Sequence, residues 1–310
     1  FENASIEHAP VHKKSLIRYT SILLFLFCLI FIIRLFQNHI FEVSQPETKP
    51  VSPEQPFVYV TEWDEILYKM RISGFKKWND SSITTFIRDL TPIVMRESLK
   101  TGAPPAAILS IACLESGFGA GYIAGISGNI LSLNAKQNET MLPPLTVYVY
   151  KNKIIFNKIK LKEVLSVGKP LEIQLRPASL KKDYRMEGFG GGTTHLDYFI
   201  HHPQQRYLAW EKNIQDLLYD RLNPKSKNIP YLESYRFCQE LKNSGRLDAL
   251  LADSSAIKFL YLIGGRPLSF NPREEWRTKT EKLVVTFGFN QFLKLYLNTF
   301  KDSYDLSGWE

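Results

Sequence analysis

The sequence predicts a mostly helical α+β protein with a small β lobe inserted after its central helix, and with one transmembrane helix ahead of both. Three observations carry this reading. Apolar residues recur at helical spacing up to about residue 116 and again from about residue 207. Between these stretches the pattern changes to short runs of β-branched and aromatic residues bounded by Pro, Asn and Lys. Near the amino end, residues 16–36 carry an apolar run with no polar face.

Composition narrows the classes. The chain has 310 residues, 44% of them hydrophobic and 13% aromatic, enough for one sizeable core or two small ones. Its net charge of +8 suits an anionic membrane surface, an anionic polymer or nucleic acid. Zinc-ligand spacing, an RNA-recognition signature and an arginine-rich arm are all missing, so nucleic acid is not an expected partner. The three cysteines, Cys28, Cys113 and Cys238, form no C-x-x-C, which removes the support for redox and zinc chemistry. Cys113 lies in a helical pattern and is expected buried and reduced, with a Cys113–Cys238 pair left open.

Taken in order, residues 1–15 read as a short cytoplasmic segment and 16–36 as the membrane span. The uninterrupted apolar stretch, 19–33, is flanked by Arg18 and Arg34, whose long side chains can snorkel, so the segment can cross roughly 30 Å of hydrocarbon. No small-residue cleavage site follows it, which argues against a signal peptide. Lys13, Lys14 and Arg18 precede the run and few basic residues follow closely, so the expected orientation is a single pass through the cytoplasmic membrane with the bulk of the chain outside. Residues 37–60 form a linker; within it, EVSQPETKPVSPEQP holds four prolines and no hydrophobic periodicity, a semi-rigid spacer. Residues 61–310 form the working domain.

Within that domain Ile83, Phe86, Ile87, Leu90, Ile93 and Val94 share a helical face, and Gly102 stops the helix before Pro104 and Pro105. Pro105 opens the central helix, which ends at Gly117. After Pro143, residues 146–150 and 154–156 read as a hairpin and 171–175 as a further strand. A glycine-rich loop, 188–192, lacks both the Lys-Ser/Thr of a phosphate loop and the dinucleotide spacing, and reads as a flexible edge. Helices resume with Tyr207, Trp210, Ile214, Leu217 and Leu218 on one face, then within 247–263 and 274–298. His195, His201 and His202 do not converge on one ion, so no metal site is expected. A mostly helical body and a β lobe leave a cleft between them.

The stretch PPAAILSIACLESGFGAGYIAGISGNILSLNA, 104–135, carries the chemistry. Ile108, Ile111, Ala112 and Glu115 fall on one helical stripe, which puts a carboxylate at the end of an apolar face. Burial beside apolar groups and the negative end of a helix dipole both favour a protonated carboxyl, as a general acid requires. The plain alternative is a glutamate that frays outward at a helix end.

The pattern A-I-L-x-x-A-x-L-E-S-x-x-G followed by N-I-L-S-L-N-A resembles glycoside hydrolase family 73, bacterial glucosaminidases in which a helix ends in L-E-S-x-W-G and an N-L-F-G-I-K-like stretch follows. Ala107, Ile108, Leu109, Ala112, Leu114, Glu115, Ser116 and Gly119 match; Phe118 stands where the family has Trp, and Asn129 matches the opening asparagine of the second block. The resemblance implies a lysozyme-like fold, cleavage of the β-1,4 bond after N-acetylglucosamine in peptidoglycan, no cofactor, and Glu115 as catalytic acid. It makes Ser116, Phe118 and Asn129 substrate-binding candidates.

Departures from the family pattern matter as well. Residues 130–134 lack the Phe-Gly pair and the Lys, and 136–200 is longer than the family's β lobe. Lys182-Asp183-Tyr184 resembles the family's T-x-E-Y segment, which puts a second acid at Asp183, with Glu187 as the neighbouring alternative; solvated charges on a loop edge explain either equally well. Arg206-Tyr207-Leu208-Ala209-Trp210 with Ile214-Gln215-Asp216 resembles F-R-x-Y-x-S-x-x-x-S-I-x-D, so Tyr207 is either the family's cleft tyrosine or a core aromatic. Two other functions fit the same residues: a lytic transglycosylase, and a non-catalytic wall-binding scaffold.

Overall fold

The computed structural model describes residues 62–151, 153–155, 158–168, 170–186 and 198–310, all within one compact unit, Val60–Glu310. The expected membrane span at 16–36, the linker and Cys28 lie outside the described residues; no helix among the described residues is long and apolar enough to cross a membrane.

The described chain is mostly helical, with two small sheets. It opens with α1 (Glu62–Ile72), a 3-10 turn at Lys76–Asn79, α2 (Ser81–Thr101), α3 (Pro105–Ser116) and α4 (Tyr122–Ser127). The β lobe follows: β1 (Met141–Leu142), β2 (Leu145–Tyr150), β3 (Lys153–Ile155), α5 (Lys158–Ser166), β4 (Glu172–Arg176) and β5 (Ser179–Lys182). Then come α6 (Tyr198–His201), α7 (Pro203–Gln215) running on into a π-helical turn at Asp216–Arg221, and α8 (Ile229–Ser244). Helices α9 (Leu247–Leu250), α10 (Asp253–Ile263), α11 (Glu274–Phe287) and α12 (Phe289–Phe300) complete the body.

Local chemistry sets the boundaries of the helices that matter. Asp80 caps α2, its carboxylate accepting from the amides of Ser82 at 2.9 Å and Ile83 at 3.2 Å, a cap worth about 1 kcal/mol. Helix α2 stops at Gly102, whose φ of 79° suits glycine, and a Cβ there would fall 2.1 Å from the carbonyl oxygen of Cys238. That glycine therefore also lets α8 approach. Pro105 stands at the first turn of α3, where its missing N–H costs nothing.

Helix α3 differs from its expected form. A single apolar stripe would leave a polar face, yet every residue from Pro105 to Cys113 is buried, because α2, α10, α11 and α12 surround it. Burial of Ile108, Leu109 and Ile111 contributes about 1.5–3 kcal/mol each. The one buried hydroxyl on this run, Ser110, donates to the carbonyl of Thr280 on α11 at 2.6 Å. Cys113 and Cys238 are both buried and unbridged, and burial pushes both thiols up.

The predicted hairpin is present: β2 pairs antiparallel with β3 in the register Tyr148↔Ile155 and Tyr150↔Lys153, and β4 joins the other side of β2. Leu145, Val147 and Val149 of β2 are buried while the residues between them are partly exposed, the alternation that a half-buried strand requires. Tyr148 and Tyr150 pack against Ile155, Leu161 and Val164, so they serve the lobe's own small core. The ribbon of β1 with β5, and helix α5, are absent from the sequence-based reading.

Candidate active site

Glu115 occupies the last turn of α3, half-buried, where the wholly apolar helix reaches the surface. Its Oε1 accepts a hydrogen bond from Nε1 of Trp276 at 2.8 Å, with Nδ2 of Asn271 at 3.5 Å. Trp276 is itself 3% exposed and is held over Gly264, where a Cβ would come 2.1 Å from the ring. The indole therefore has little freedom to turn, and it fixes the carboxylate's direction.

The chain beyond Glu115 is folded tightly back. Buried Ser116 donates from Oγ to the carbonyl of Ala112 at 2.6 Å and accepts from the amide of Gly119 at 2.7 Å, while its own carbonyl accepts from Gly121 at 2.7 Å. This hydroxyl closes the turn that follows the helix. Phe118 is forced to a φ of 56°, an arrangement that costs an aromatic residue about 1 kcal/mol or more. Its ring leans on Phe287 with centroids 5.3 Å apart and stays partly exposed.

Strand β5 carries two lysines, Lys181 and Lys182. Successive side chains on a strand point to opposite faces. Lys182 turns inward, and Lys181 turns to the other side, where its Nζ donates to the carbonyl of Ser132. Burial holds the Lys181 ammonium below its usual range, and the negative charge of Glu115 pulls against that effect. Lys181 thus lies within electrostatic reach of Glu115, with no ion pair between them among the described residues.

Asn129 is 1% exposed and acts as a staple for this wall. Its Nδ2 donates to the carbonyls of Leu133 at 2.8 Å and Lys182 at 2.9 Å, and its Oδ1 accepts from the amide of Leu133 at 2.8 Å. Both polar atoms of this side chain are thereby engaged within the wall. Asp183 is bound on both oxygens by Arg185, at 2.6 to 3.1 Å, with both side chains almost sealed from solvent. Tyr207 is placed on α7 against α2: its hydroxyl donates to Asp89 at 3.2 Å and its ring stands edge-on to Trp210. Glu187, the glycine-rich loop and His195 lie outside the described residues; His202 is exposed.

A second charged cluster locks the β lobe to the helical body. Asp216, at the start of the π-helical turn, accepts from Nζ of Lys182 at 2.8 Å and from the hydroxyl of Tyr184 at 2.6 Å, and Nε of Arg221 stands 3.5 Å from its other oxygen. Lys182 also holds Glu139 at 2.7 Å. Burial pushes the Asp216 carboxyl up, but the hydrogen bonds of Lys182 and Tyr184 outweigh it and hold the group below the usual range. For Lys182, burial works downward, and Asp216 and Glu139 together carry the ammonium above its usual range.

Sequence reasoning missed three members of the Glu115 environment: Trp276, Asn271 and Lys181. Strand alternation through 179–182 was the available signal for Lys181. Trp276 is 161 residues from Glu115, and nothing local in the sequence connects them. Compared with family models, with curated proteins and with solved structures, the chain finds no match in any of the three.

Proposed function

We propose that the chain is a membrane-anchored peptidoglycan hydrolase with a lysozyme-like arrangement of helical body and β lobe, cleaving the β-1,4 bond after N-acetylglucosamine. The observation that carries this reading is the setting of Glu115: a carboxylate at the end of a buried helix, aimed by a rigid indole donor. In the reaction, Glu115 passes its proton to the glycosidic oxygen as the bond from that oxygen to C1 breaks. A water oxygen then bonds to C1, and the water's proton returns to Glu115. The sugar's own N-acetyl group assists at C1, because Asp183, Asp216 and Glu139 are each held by a cation and none is free to serve water. Lys181 supplies positive charge to an electron-rich glycan. Residues 16–36 keep the domain at the outer face of the membrane.

The pairing of Asp183, Asp216 and Glu139 with cations also favours a second reading, a lytic transglycosylase. There one acid suffices, and the C6 hydroxyl of the same muramic residue whose C1–oxygen bond breaks bonds to that C1 in place of water, its proton passing to Glu115. Digestion of purified peptidoglycan, wild type beside Glu115→Gln, with mass spectrometry of the products, separates them. Reducing N-acetylglucosamine ends from the wild type alone support the hydrolase. Anhydro ends move the reaction to the transglycosylases. A folded wild-type chain that releases nothing rules out both and leaves a wall-binding scaffold.

A further inference from the structure

Among the described strands, β4 is the one with every residue exposed. It pairs with β2 on one side, and among the described residues no strand meets its other edge, which leaves a row of main-chain N–H and C=O groups open. Its side chains alternate between two faces. Leu171, Ile173 and Leu175 share the face of Tyr148, where Leu171 reaches the lobe's small core. Ile173 and Leu175 find no such cover and are 66% and 73% exposed. On the other face Nε2 of Gln174 donates to Glu172 at 2.8 Å, and the Arg176 guanidinium stands 5.3 Å from the Tyr122 ring. Neither Glu172 nor Arg176 has an ion pair among the described residues.

The run Glu-Ile-Gln-Leu-Arg, 172–176, complements itself in the reverse direction. Laid antiparallel on a second copy about a two-fold axis at Gln174, it sets Glu172 opposite Arg176 and Ile173 opposite Leu175, each pair twice. Opposite residues share a face, so the apolar side chains of both copies form one patch and the charge pairs lie behind it. Charges on an edge strand ordinarily guard it against other chains. Here they oppose parallel pairing, which would set Glu172 on Glu172 and Arg176 on Arg176, and they admit the antiparallel arrangement. A slip of two residues either way loses both charge pairs, and a slip of one turns the apolar residues to the wrong face. Pro170 and Pro177 bracket the run and offer no N–H to a ladder, which confines the pairing to this strand. We propose that β4 is the interface of a two-fold homodimer, in which the three-stranded sheets of two copies join edge to edge. Each β4 edge is used up by the other, so the contact closes at two copies. The inference is independent of the hydrolase reading.

Sedimentation velocity of the full chain in detergent, over a dilution series, reads the state directly. The wild type is expected to pass from monomer to dimer as concentration rises. Glu172→Arg and Arg176→Glu each convert both attractive pairs into like-charge pairs, and each is expected to raise the dimer dissociation constant by about tenfold or more. The double reversal puts opposite charges back in the same places and is expected to return the constant to within about threefold of wild type. Both positions are exposed, so the melting curves should not move. Arg176→Glu also gives up the Tyr122 contact, which Glu172→Arg leaves alone, so equal losses from the two single variants tie the effect to the pair. A dimer that no variant weakens is held by another surface and overturns the proposal. Loss in the single variants without recovery in the double reversal overturns it as well. A wild-type chain that stays monomeric at every concentration does the same, and leaves the β4 edge to a strand from a different protein.

Discussion

Glu115 and Asp216 are two carboxylates in the same domain with opposite surroundings. The described hydrogen-bond partners of Glu115 are neutral donors, Trp276 and Asn271, and no ion pair to it stands among the described residues. Asp216 is gripped by Lys182 and Tyr184 with Arg221 close by, and is 3% exposed. A caged carboxylate holds two parts of a fold together, and taking its charge away strands the cations around it. The contrast separates the carboxylate proposed as the acid from one that holds the fold together, and it can be broken from either side.

The largest expected effect is on turnover. Glu115→Gln keeps an acceptor for the Trp276 indole but has no proton to give. Release of glycan ends should fall by about 10³-fold, roughly 4 kcal/mol in the barrier, with an unchanged melting curve. A variant that kept a tenth of wild-type activity would remove Glu115 from the role of acid.

Asp216→Asn should do the opposite, lowering stability by about 3 kcal/mol because Lys182 and Arg221 are left beside a neutral group. It should also flatten the acid limb of the stability curve. The folded-state Asp216 carboxyl lies below its unfolded value, so its contribution is complete above the ordinary carboxylate range and is lost as pH falls through the lower, folded value. Chemical denaturation between about pH 6 and pH 3 reads both effects. An unaltered acid slope in the variant would show that the cluster does not hold the lobe.

Trp276→Phe tests the aiming of Glu115. The ring volume is largely kept while the 2.8 Å donor is lost, so a fall of about tenfold in kcat with little change in KM is expected. A change confined to KM would make Trp276 a substrate contact instead.

How far the sequence revealed this molecule follows from what is local. The boundaries of α3 were legible because Pro105 and Gly117 act on their own neighbours, and the hairpin because Lys151 and Lys153 bracket a turn between β-branched runs. The all-round burial of α3 was not, since it depends on helices that return more than a hundred residues later. At the site, Glu115 stood out by its place at the end of an apolar run. Ser116 and Asn129 entered only through the motif resemblance, and the engagement of their polar atoms in the turn and the staple is something only hydrogen-bond partners reveal. Asp183 was read as a second acid from the likeness of Lys182-Asp183-Tyr184 to T-x-E-Y, and nothing in the sequence marks its pairing with Arg185 two positions on.

The smallest expected effect concerns Tyr207. Its hydroxyl donates to Asp89 on the α2 side of α7, and its ring shares the Arg206 guanidinium with Trp210. If Glu115 works with the substrate's own N-acetyl group, Tyr207→Phe removes one exposed hydrogen bond and leaves the stacked ring in place. Turnover should then change by less than about threefold, and stability by under about 1 kcal/mol. Initial rates on peptidoglycan and one melting curve are sufficient. A loss of a hundredfold or more with the fold intact would mean that the reacting sugar passes over α7. Tyr207 would then be the second catalytic group, and the role given above to the N-acetyl group would fall.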